Sequence, residues 1–62
     1  MRQPRCQIRA AGNNLIPLLT RLGRAGIRVL QQKPEQAEVI CAGDASEIKG
    51  VVGALASKIT PR

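Results

Sequence analysis

Between Cys6 and Leu22 the spacing of apolar residues changes period. Cys6, Ile8 and Ala10 alternate with Gln7 and Arg9, whereas Leu15, Leu18, Leu19 and Leu22 recur three and four residues apart. Alternation describes a strand with one wet face, and three-four spacing describes a helix with one apolar stripe. The change falls across Gly12-Asn13-Asn14, residue types that end strands, form turns and cap helices. The chain therefore opens as a strand followed directly by an amphipathic helix.

The helix is expected over Leu15 to Ala25, with Asn14 as its cap and Pro17 at the third helical position, where a missing amide hydrogen costs nothing. Arg21 and Arg24 fall in the last turns, where cations suit the helix dipole, and Gly26 suits a left-handed C-terminal cap. Ile27 to Gln32 reads as a second strand. Lys33-Pro34-Glu35-Gln36 makes a polar turn, and Ala37 to Ala42 a third strand, so that strands two and three form a hairpin. Asp44-Ala45-Ser46-Glu47 resembles a capping box with Asp44 as cap. The helix behind it carries Ile48, Val51, Val52, Leu55 and Ile59 on one stripe, and Thr60-Pro61-Arg62 is expected to stop it.

The order β-α-β-β-α predicts a single α+β domain over residues 1–62, with a structured core of about residues 5–60. The economical arrangement is a two-layer sandwich, a three-stranded antiparallel sheet with both helices on one face. A right-handed crossover from strand one to strand two leaves room for strand three between them. This is a ferredoxin-like sandwich without its last strand, and strand one is left with an open edge. At 62 residues the fold buries only roughly 60% of the surface that its unfolded chain exposes. No Phe, Tyr or Trp is present, so Leu, Ile, Val and Ala fill the core in small units. An open edge on so thin a core invites pairing with another chain, and self-association or docking onto a larger protein through that edge is expected.

In the order Ile8-Arg9-Ala10-Ala11-Gly12, Leu18-Leu19-Thr20-Arg21-Leu22-Gly23-Arg24-Ala25-Gly26-Ile27, Ala37-Glu38-Val39-Ile40-Cys41 and Val51-Val52-Gly53-Ala54-Leu55, the chain resembles small-molecule-sensing regulatory domains of the ACT type. It looks most like the repeats of aspartate kinases, in which a helix ending in Ala-Gly-Ile leads into the second strand. The resemblance spans about residues 6–59. It implies a non-catalytic regulatory or protein-interaction module that binds an amino acid or other small molecule, often across a homodimer interface. It also implies a ligand site at the loop after strand one and the start of helix one. On this chain the matching positions are Gly12, Asn13, Asn14 and Leu15. The exposed amides of a helix start suit a carboxylate, and Asn offers both donors and acceptors. The bland account of the same residues is a glycine turn and an Asn cap, which leaves Asn13 without a local role.

Ten Lys and Arg against four Asp and Glu give a formal charge of +6, which draws polyanions at low salt. The alternative function is therefore a basic nucleic-acid-binding, RNA-binding domain, with Arg5, Arg9, Arg28 and Lys33 addressing phosphates. Lacking aromatic residues on which bases stack, such a domain reads charge rather than sequence. An enzyme is not expected: histidine is absent, Asp44 and Glu47 serve as caps, and Glu35 and Glu38 belong to the hairpin. Cys41 in a central strand reads as a small buried hydrophobe. Cys6, nearer the terminus, is expected to be more exposed; the strand order does not require the two to meet, and a single disulfide between them stays open. Two cysteines without a CxxC pair or histidine give no four-ligand zinc site, and no cofactor is expected. Nothing resembles a signal peptide or a membrane-spanning run, which leaves the cytoplasm as the default location.

Overall fold

Strand β1, Arg5–Ala10, buries Cys6, Ile8 and Ala10 and turns Arg5, Gln7 and Arg9 away, as its alternation requires. The computed structural model describes residues 3–62. Helix α1 covers Leu15–Arg24 and buries Leu18 and Leu22. It ends in a paired closure: Gly26 N–H donates to the Gly23 carbonyl and Ile27 N–H to the Leu22 carbonyl, at 3.1 and 3.0 Å. This is the Schellman arrangement, which satisfies carbonyls that the helix leaves without partners. Strand β2, Val29–Lys33, turns through a 3-10 segment at Pro34–Gln36 into β3, Glu38–Ala42. Helix α2 covers Ala45–Val52 and buries Ile48 and Val52.

The second helix is shorter than its stripe predicts. After Val52 a single 3-10 turn at Gly53–Leu55 leads into a fourth strand, β4, Ala56–Pro61. The sheet therefore has four strands rather than three, in the order β2-β3-β1-β4 with every neighbour antiparallel. Gly53 stops the helix with φ +53 and ψ −129, a backbone that favours glycine. Beyond it, Lys58-Ile59-Thr60 alternates as a strand does. Ile59 lies opposite Ile8 and packs on the core, while Lys58 and Thr60 face outward. The stripe that joins Leu55 to Ile59 arises because four-residue helical spacing is also an even number, and an even number keeps a strand residue on one face.

β3 does lie between β1 and β2, as the crossover predicts. β1, however, is a central strand covered by β4, so the open edge expected there is filled. The edges of the sheet are β2 and β4. β2 carries a bulge at Leu30, which is 42% exposed, and the β1–β4 register slips at Ser57, whose hydroxyl donates to the Arg9 carbonyl at 3.3 Å. Both helices pack on one face of the sheet. Cys6, Ile8, Ala10, Val39 and Cys41 below and Leu18, Leu22, Ile48 and Val52 above form one aliphatic core.

Candidate functional site

The other face of the sheet carries no helix, and the strand register sorts its residues into three rows across the four strands. Lys33, Glu38, Arg9 and Lys58 form one row, successive partners on β2, β3, β1 and β4. Gln31, Ile40, Gln7 and Thr60 form the next. At the far end Arg5 faces Ala42, the Ala42 amide donates to the Arg28 carbonyl at 2.9 Å, and the Arg62 amide donates to the Arg5 carbonyl at 2.9 Å. These contacts continue the register one step and align Arg28, Ala42, Arg5 and Arg62 as a third row. Two basic rows thus bracket a neutral one. Four residues separate them on β1, from Arg5 to Arg9, which is about 13 Å along an extended strand.

Among the described residues the face holds six of the nine basic residues and one acid. Glu38 is almost fully buried, and its carboxylate accepts from Arg9 Nη2 at 3.1 Å while the Arg9 side chain stays about half exposed. It is the one acid–base side-chain pair among the described residues. The Arg62 guanidinium donates to Gln7 Oε1 at 2.8 Å, which folds the last side chain back over the sheet. Gln7, Arg9, Glu38, Lys58 and Thr60 line a shallow hollow of about 250 Å³ on this surface.

All four residues expected to address phosphates, Arg5, Arg9, Arg28 and Lys33, belong to the two outer rows. Lys58 and Arg62 complete them. The sequence pattern conceals these two, because their strand reads as the end of a helix and a stop. The alternation of Lys58-Ile59-Thr60 is the signal that would have found them.

The loop Gly12–Leu15 disperses its residues. Gly12 turns the chain at φ +53, Asn13 is exposed, and Leu15 packs against the core. Asn14 occupies the cap position, but its side chain makes no capping hydrogen bond. Its carbonyl instead accepts the Leu18 amide at 2.8 Å, and its own amide donates to the Ala11 carbonyl at 3.0 Å. Asp44 likewise stands at the head of α2 with no side-chain cap bond, its carbonyl accepting from Ile48 at 2.9 Å, so the capping box is not formed. Asn14 borders an open hollow, about 440 Å³, whose wall is Arg21 on α1 and Gly50 to Leu55 at the end of α2.

Cys41 is buried as its central strand predicts, whereas Cys6 departs from expectation by being buried beside it. Cys6 and Cys41 are direct cross-strand partners, both fully buried and free, with their sulfurs 3.5 Å apart. Burial raises both thiols above their ordinary value, Cys41 to about 12, since a thiolate in an apolar core loses its hydration. Neither sulfur is a ready nucleophile. Among the described residues no group of three or more His, Cys, Asp or Glu is placed to hold a metal ion. No helix of the described residues is long and apolar enough to cross a membrane. No protein-family model matches the chain, and neither a curated protein nor a solved structure matches it.

Proposed function

We propose that this chain is a small non-catalytic binding module whose working surface is the open sheet face, and that this face holds the phosphate backbone of a nucleic acid. The observation that carries the reading is the alignment of Arg5, Arg28 and Arg62 in one row and Arg9, Lys33 and Lys58 in another, with the single acid engaged by Arg9. Cations gathered on one flat, uncovered face release counterions together when they meet phosphates. With no aromatic residue in the chain, affinity comes from charge and is blind to sequence. The antiparallel order β2-β3-β1-β4 with both helices behind the sheet supports a ferredoxin-like reading of the fold, which leaves one sheet face free. A cytoplasmic setting suits the module, because free thiols persist where the compartment is reducing.

Fluorescence anisotropy with end-labelled oligonucleotides tests the proposal. Micromolar binding at 50 mM salt that vanishes by about 300 mM is expected, because sequence-independent affinities fall steeply with salt. Replacing Arg5, Arg28, Lys33 and Lys58 with Glu abolishes it, and no binding of any oligonucleotide at 50 mM salt overturns it.

A second reading, a regulatory module of the ACT type, is favoured by the hollow beside Asn14. There Arg21 offers a cation to a carboxylate, and Val51 and Leu55 offer an apolar wall. In this reading the chain pairs with a second copy, or with a larger protein, through the β2 edge where Leu30 is exposed. Calorimetric titration with the amino acids and sedimentation at micromolar concentration test it. A monomer that takes up no amino acid removes it.

A further inference from the structure

We infer that the ligand of the open sheet face is duplex DNA, straddled across its minor groove, rather than a single strand. This inference rests on the nucleic-acid reading above and adds the class of ligand to it. A single backbone is one line of phosphates, and one row of cations is enough to follow it. Here there are two rows, parallel to each other and crossing all four strands. Each spans three strand spacings, about 14 Å, and their backbone positions lie about 13 Å apart, with the Arg62 guanidinium leaning from its row onto Gln7 between them. A duplex presents its phosphates in the same way, as two lines either side of a groove. The minor groove of B-form DNA is about 6 Å wide, so its phosphate centres stand about 12 Å apart once the phosphates' own size is added. The minor groove of an RNA duplex is much wider, and its narrow major groove lies too deep for a flat face to follow.

The row between the cations fits the same partner. Gln31 and Thr60 bring donors and acceptors to the groove opening, Gln7 adds its amide donors while its carbonyl oxygen accepts from Arg62, and Ile40 between them is half buried and adds no charge. The row of Arg28, Arg5 and Arg62 is free of acids, whereas in the other row Glu38 takes up part of Arg9. About five cations are therefore available to two backbones, but only two or three to one backbone lying along a single row.

The salt dependence separates the two cases. With Z phosphates neutralised, log affinity falls against log salt with slope about −0.9Z for duplex DNA and about −0.7Z for a single strand. A duplex on both rows gives a slope of about −4.5, which is roughly a 500-fold loss of affinity between 50 and 200 mM salt. A single strand on one row gives about −2, roughly a 15-fold loss. The experiment is a salt titration of the full chain by fluorescence anisotropy, using a labelled mixed-sequence 16-base-pair DNA duplex, either of its single strands, the matching RNA duplex and phosphatidylserine vesicles. The triple variant Arg5→Gln, Arg28→Gln, Arg62→Gln and the double variant Lys33→Gln, Lys58→Gln are titrated beside it, after circular dichroism shows that each is folded.

The steeper slope is expected on the DNA duplex, and each row variant should lower it by roughly two to three. Equal slopes near −2 on duplex and single strand overturn the straddling geometry while leaving the nucleic-acid reading in place. So does an effect confined to one row variant, or an RNA duplex that binds as tightly as the DNA duplex. Binding to vesicles with none to any oligonucleotide overturns both.

Discussion

Glu38 sits where a basic surface has most use for it and least room. Its neighbours across the strands are Lys33 and Arg9, and its carboxylate is nearly buried against the Arg9 guanidinium. Replacing it with Gln keeps the shape and an acceptor but removes the charge. Glu38→Gln should cost about 1 kcal/mol in denaturant unfolding, the usual worth of a charge-assisted bond exchanged for a neutral one. It should also tighten oligonucleotide binding several-fold and steepen the salt slope by about one, because Arg9 is released to a phosphate. The cysteines make a separate forecast. The unfolded thiols ionise near pH 9, while folded Cys41 holds its proton to about 12. The folded state therefore binds more protons in that window, and stability falls as pH rises from 9 towards 12, by up to about 1.4 kcal/mol per pH unit for each thiol. A urea unfolding series from pH 7 to 11 should show a plateau and then this decline, and Cys41→Ala should make it shallower, leaving the share of Cys6. The burial of Cys6 is legible in its alternation with Ile8 and Ala10. Its contact with Cys41 is not, because it depends on the register between strands far apart in sequence.

At the scale of elements, β1, α1, the β2–β3 hairpin and the start of α2 are legible from period and turn residues alone. The end of α2 is not, because Ile48, Val51, Val52, Leu55 and Ile59 satisfy a helix as a list of positions. What separates the two outcomes is the backbone at Gly53, and glycine is as much at home in a frayed helix as in the turn that ends one. Two glycines in this stretch should respond with opposite signs. A Cβ at Gly50 meets nothing, and the residue lies within α2, so Gly50→Ala should stabilise by up to about 1 kcal/mol. A Cβ at Gly53 also meets nothing, but φ there is +53 with an extended negative ψ, so Gly53→Ala should cost roughly 1–3 kcal/mol. Thermal unfolding followed by circular dichroism reads both. If Gly53→Ala were as stable as the parent, the α2–β4 turn would not have the form described. The candidate site is half legible for the same reason: four of its six cations lie on or beside strands that the period reveals, and Lys58 and Arg62 belong to the strand it hides.

For the whole molecule the dominant fact is polarity between faces. Arg21, Arg24 and Lys49 share the helical layer with Asp44 and Glu47, so little net charge remains there, while the open face concentrates the excess. Like charges in two tight rows repel, and screening them should stabilise the fold. Raising NaCl from 20 to 300 mM should increase the melting temperature by about 5 °C, the shift that ~1 kcal/mol produces in a domain of this size. A short polyphosphate should do the same at far lower concentration. The sequence discloses the total charge but not this separation, because basic residues scattered along a chain become neighbours only when the register brings them together.

The central place of β1 also bears on the order in which the molecule can be made. Its two sheet partners are β3 and β4, and the bond that ties Gln7 to Arg62 joins residues 55 apart in sequence. During synthesis the first strand leaves the ribosome long before its last partner exists. The layer that carries the cations cannot be completed until the end of β4 has emerged. Folding must then close nearly the full length of the chain in one loop, and contacts so distant in sequence slow the search. A chain arrested before Ala56 would carry three of the four strands, with Ile8 beside Val39 but without Ile59, and with neither Lys58 nor Arg62 in its rows.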